Sequence, residues 1–209
     1  MTTQATRRTP RDPRTHTGAE APGRSPDRGA PGAPGPWLAV VRGVGRALGA
    51  MPRPLAAGAA LAWMLGIWWL SSGPIDVRTP IPAADFFSNL AHAPVFGMLA
   101  ALVAAAAAPR PLPADWPHPG RTACLVAFLV VAIWAGTDEL HQARVGGRHG
   151  SPFDFATDVT GAAGALWLAS YAGRDGAHER GMRGRMLSVV GLCAVVAGLT
   201  TVADRLGVS

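Results

Sequence analysis

Lysine is missing from this chain: all 19 basic residues are arginine, against 13 acids, for a net charge of +6. A basic balance can signal nucleic acid, but these arginines flank apolar segments and form no basic-aromatic module, so no nucleic-acid partner is expected. With 26 Gly and 19 Pro, arginine without lysine fits a GC-rich coding bias better than a mechanism. Cysteine is almost absent too. Cys124 and Cys193 each sit inside an apolar run and form no CxxC, which argues against a zinc site or a disulfide framework. Charge is sparse at 15%, where a soluble domain carries about a quarter.

Long apolar runs are what the chain has instead. Residues 1–36 are rich in Pro, Gly and Arg with no helical or strand period, and read as a disordered tail. They do not read as a signal peptide, since no apolar core follows until residue 55. In residues 37–54, Trp37, Val41, Val44 and Leu48 share one helical face and Arg42 and Arg46 the opposite one. That suits an interfacial amphipathic helix, although three glycines also suit a plain basic linker. Five apolar segments follow: Leu55–Ser72, Phe86–Ala108, Thr122–Leu140, Phe155–Tyr171 and Met186–Ala203. The expected fold is all-α, a polytopic membrane bundle of about five transmembrane helices.

Length is the sharpest constraint on two of these. A helix crossing hydrocarbon needs about 17 residues at least. Cut before their acids, the third and fourth segments fall short of this. To span, they must extend through Asp138 and Glu139, and through Asp154 and Asp158. Arg42, Arg46, Arg53, Arg110, Arg121, Arg174, Arg180, Arg183 and Arg185 lie in one set of flanks, and Arg78, Arg144, Arg148 and Arg205 in the alternate set. The positive-inside bias then puts the N-terminus and a basic loop over 172–185 in the cytoplasm. The acid-bearing loop faces outward from an inner membrane, and residues 186–209 add a C-terminal span.

Three helix ends therefore converge at the outer rim. Asn89, His92 and Phe96 share a face, with Pro94 placed to kink the helix. Asp138 and Gln142 are one turn apart, and Glu139 is rotated about 100° from Asp138. Asp154, Asp158 and Gly161 stack on the next helix, and the loop adds Arg148 and Ser151. Ionisable groups near hydrocarbon are costly, about 2.5–3.5 kcal/mol each at mid-bilayer, unless they pair or work. A charged, partly dry pocket is one reading. A polar cap that ties three helices together would use the same residues and do no chemistry. A divalent metal on His92, Glu139 and Asp154 or Asp158 matches no tight ligand motif, so neither metal nor cofactor is expected. "GRHGS" lacks the nucleophile-elbow pattern, and "GVGRALG" lies in no βαβ unit.

At these residues the chain resembles the VanZ-like family of small bacterial membrane proteins. "DELHQARVGGRHGSPFDFATDVTGAAG" carries Asp138, Glu139, Gln142, Arg148, Ser151, Asp154 and Gly161 at that family's spacing. Asp158 stands where the family has Asn. In "SNLAHAPVFGML", His92 is retained, but Ser88 and Asn89 replace an acidic and basic pair. The resemblance covers residues 55–171 and implies a four-helix core in the cell envelope. It also implies an association with teicoplanin-type glycopeptide resistance. Two functions stay open. One is non-enzymatic binding of a polar or anionic lipid or cell-wall head group by His92, Asp138, Glu139, Gln142, Arg148, Ser151, Asp154 and Asp158. The other is acid-base hydrolysis or transfer on a lipid-linked substrate, with Glu139 as base and His92 as acid.

Overall fold

The computed structural model describes residues 34–73, 82–109, 118–146 and 150–207. Nearly all of the expected tail lies outside them, as do Arg78, Arg110 and Arg148. The described residues belong to one compact unit, Pro34–Ser209, and form helices and connections without a strand. The helices are α1 (Pro36–Ala50), α2 (Arg53–Ser71), α3 (Pro82–Ala107), α4 (Gly120–Gln142), α5 (Pro152–Ala172) and α6 (Glu179–Leu206). The third and fourth apolar segments do extend through their acids: α4 includes Asp138 and Glu139, and α5 includes Asp154 and Asp158.

Successive helices α2 to α6 run in alternating directions, which sorts their termini to two ends. At one end, arginines close the helix C-termini, whose last carbonyls have no intrahelical donor. Arg53 donates from Nη2 and Nε to the Ala108 carbonyl at 2.8 and 3.3 Å, closing α3. Arg42 donates from Nε to the Ala172 carbonyl at 2.9 Å and from Nη2 to Arg174 at 3.3 Å, closing α5. Cationic groups there also oppose the negative end of the helix dipole. Glu179 of α6 works in the opposite sense. Its carboxylate accepts from the Leu38 and Trp37 amides at 3.1 and 3.3 Å, where α1 has no side-chain cap of its own.

The amphipathic segment is thus a helix docked on the bundle. Leu38 packs with Tyr171, Ala172 and Met182. The basic loop expected over 172–185 is shorter than foreseen, because α6 already starts at Glu179. A His178 side chain that accepts from the Gly181 amide caps that start, and Gly207 ends the helix in the left-handed conformation (φ 69°). α3 runs unbroken through Pro94, which is therefore interior and not a helix start.

Among the described residues, four helices are long and apolar enough to cross a bilayer: α2, α3 from Ala83, α4 and α6. Their outer faces expose large apolar side chains, among them Trp69, Ile133 and Leu187, each more than 70% exposed. Water would penalise such a surface and lipid favours it. α5 is not among the four. It packs against α1, α3, α4 and α6, so its surface is mostly covered by protein, and its own contact residues are small.

Small residues set how closely α3 and α5 approach. A Cβ added at Gly161 would collide with the backbone of Ala93, and one at Gly97 would sit 3.3 Å from the Ala165 Cβ. This is the usual contact chemistry between membrane helices, where backbone proximity replaces the hydrophobic drive. Around it lies the main core, with Phe96 and Leu99 from α3, Val131 from α4, Leu166 from α5 and Ile67 from α2. Gly161→Val is expected to push α3 and α5 apart and lower stability by about 3 kcal/mol in detergent unfolding. Gly191→Ala, where an added Cβ meets open space, should change it by about 0.5 kcal/mol at most. Equal effects would contradict this packing.

Candidate functional site

The end opposite the arginine caps gathers the polar side chains of α2 through α6. Its centre is a hydrogen bond between His92 Nδ1 and Asp158 Oδ1 at 3.0 Å, joining α3 to α5. The Asp158 side chain is fully buried, while that of His92 remains 29% exposed. The pair therefore has a dry side and an open side. An ionised Asp158 can only accept, so Nδ1 then carries the shared proton, and Nε2 is an acceptor in the neutral imidazole and a donor in the protonated one.

The adjacent acids of α4 divide between different neighbours, as their rotation about the helix requires. Asp138 faces α2: its Oδ1 accepts from Ser71 Oγ at 2.6 Å, and its Oδ2 from Gln142 Nε2 at 2.9 Å. Glu139 faces the start of α5, where its Oε2 accepts from the Ser151 amide at 2.6 Å. Ser151 in turn caps α5, its Oγ accepting from the Phe153 and Asp154 amides at 3.2 and 3.4 Å. Asp154 in the first turn and the Glu139 carboxylate both lie at the positive end of that helix. Gly150 makes the approach feasible, since a Cβ there would strike the Glu139 carbonyl.

Of the residues singled out in sequence, His92, Asp138, Glu139, Gln142, Ser151, Asp154 and Asp158 come to this end. Asp158 contacts His92, while Asp154 in the first turn of α5 and Glu139 at the Ser151 amide lie at the start of the same helix. Arg148 lies outside the described residues, and with it the expected pairing to Asp154 or Glu139. Among the described residues, no three acidic, His or Cys groups are placed to hold a metal ion. Asn89 shares the face of His92 but bonds instead to Thr201 of α6 at 3.1 Å.

Other members were not foreseen. His141 stacks on Trp68, with ring centroids 3.8 Å apart, and its Nε2 lies 2.9 Å from Ser72 Oγ. Thr157 and Thr200 join α5 to α6 at 3.3 Å, and Arg205 pairs with Asp85 at 2.6 Å. Their sequence signal was a serine pair ending one apolar run and a threonine pair near the end of another.

Three buried carboxylate oxygens have no hydrogen-bond partner: Glu139 Oε1, Asp154 Oδ1 and Asp158 Oδ2. Such atoms are uncommon in folded proteins, and each calls for a proton, a water or a bound group. The arrangement combines held acceptors, unpartnered acceptors and a partly exposed imidazole, which equips it to bind and orient a polar group.

No protein-family model, curated protein or solved structure matches the chain.

Ser151→Ala is expected to lower stability by about 1 kcal/mol through the lost cap. Glu139→Ala leaves the buried Ser151 amide without its acceptor and should remove about 1–3 kcal/mol. Glu139→Gln, whose amide oxygen can still accept, should lose less stability than Glu139→Ala in a denaturant titration. The reverse order would contradict the Glu139–Ser151 contact.

Proposed function

We propose that this is a multi-pass inner-membrane protein whose polar rim faces outward and binds a polar head group of a lipid or cell-wall precursor. One observation carries the reading. His92, Glu139, Asp154 and Asp158, from three helices, lie at one end of the bundle with buried carboxylate oxygens still unpartnered. A cap that existed only to tie helices together would be expected to satisfy those atoms internally. The resemblance of this segment to the VanZ-like family fits the same reading, and with it an association with teicoplanin-type resistance. α5 counts in it as a fifth span, carried by its protein contacts.

Orientation follows from arginine. Arg42, Arg46, Arg53, Arg121, Arg174, Arg180, Arg183 and Arg185 flank the helices at the end opposite the rim, and Arg144 and Arg205 flank the rim. The cytoplasmic side is then the arginine-rich end. Binding is preferred to acid-base catalysis, because Glu139 and His92 each hold a fold-defining bond, to Ser151 and to Asp158. In the binding role Arg148 of the loop contacts any anionic part of the head group.

With both native cysteines replaced, Val145→Cys is expected to react with an impermeant maleimide added to intact cells, and Ala177→Cys only after permeabilisation. The opposite pattern would overturn the outward rim. In a deletion strain challenged with glycopeptides, Arg148→Ala should abolish complementation and Glu139→Gln should reduce it without abolishing it. Loss with Glu139→Gln and retention with Arg148→Ala would favour catalysis instead.

A further inference from the structure

We propose that the rim pocket takes a positively charged primary ammonium group, held by Glu139, Asp154 and Asp158. This rests on the head-group reading above and names the charge of the part that enters. Asp158 is the decisive residue. Its side chain is fully buried and one oxygen is committed to His92, yet Oδ2 has no donor at all. Glu139 repeats the pattern: it is 8% exposed, with Oε2 committed to the Ser151 amide and Oε1 unpartnered. Asp154 Oδ1 is the third such atom. Glu139 accepts from the Ser151 amide at the start of α5, Asp154 lies in the first turn of that helix and Asp158 one turn further, so the three acids line one end of α5.

What is short here is donors. An ammonium brings three N–H donors and one positive charge, which suits three orphaned acceptors at an acidic rim. A phosphate or carboxylate would bring only more acceptors and meet repulsion. A bare metal ion is a poorer fit, since no three groups among the described residues are placed to share one. Metal–oxygen bonds of about 2.0–2.6 Å demand closer convergence than N–H···O bonds of about 2.8 Å. The partly exposed His92 marks where the group enters. Lipid head groups and soluble amines share this chemistry.

The test uses the full chain in phosphatidylglycerol nanodiscs, which contain no amine. Ethanolamine, choline and sodium chloride are added at matched ionic strength, and Tm is followed by tryptophan fluorescence. A saturable rise in Tm is expected with ethanolamine and not with choline, whose nitrogen has no N–H, or with salt. Glu139→Gln and Asp158→Asn should weaken the apparent affinity at least tenfold, and Asp154→Asn reports independently if Asp158→Asn does not fold. Asp175→Asn, on the exposed connection at the opposite end, should respond as the parent chain does. Competition by phosphatidylethanolamine in the disc would assign the ammonium to a lipid, and its absence to a soluble amine. No saturable rise, an equal response to choline or salt, or full responses in the three acid variants would overturn the proposal. A saturable response to glycerol phosphate without one to ethanolamine would overturn the ammonium while leaving head-group binding intact.

Discussion

Carboxylates drawn to the edge of a hydrocarbon layer must find their partners inside the protein, because lipid supplies none. α4 and α5 run through their terminal acids, so Asp138, Glu139, Asp154 and Asp158 are carried into the bundle with the helices. Much of the architecture at that end answers this requirement. Ser71 comes from α2, His92 from α3 and the Ser151 amide from the start of α5, each placed against one of the acids. The same bonds that neutralise the acids join the helices.

The two ends of the bundle use opposite chemistry for related problems. At the arginine end, guanidinium groups close exposed helix carbonyls, and one carboxylate, Glu179, closes the amides of α1. Those contacts satisfy the helix ends they close, although Arg185 Nε at that end is buried without a partner. At the acidic end the acceptors outnumber the donors, and three oxygens stay open. The difference separates a structural cap from a binding surface. Ala93 directly follows His92 and Gly161 lies about a turn from Asp158, so their close approach fixes the spacing of that pair.

The extension of α4 and α5 through their acids was legible, because bilayer thickness bounds helix length whatever the neighbours are. The pairing of His92 with a carboxylate of the next helices, Asp158, was also expected. Partner choice was not legible. Helical rotation separates Asp138 from Glu139 by about 100°, but only the positions of α2 and α5 decide that one meets Ser71 and the other Ser151. Glu179 was overlooked for a related reason: "HERGMRGR" has no apolar period, and its role depends on α1, far away in sequence. α5 reads as less apolar than its neighbours because protein, not lipid, covers most of it.

The His92–Asp158 bond is the contact on which the rim depends, and a double-mutant cycle measures it most directly. Stabilities of the parent chain, His92→Phe, Asp158→Asn and the double variant would be compared by reversible unfolding in micelles. A coupling of about 1–3 kcal/mol between the two positions is expected for a contacting pair in a buried network. Additivity to within about 0.5 kcal/mol would mean that the two side chains do not meet, and the rim pocket would have no basis.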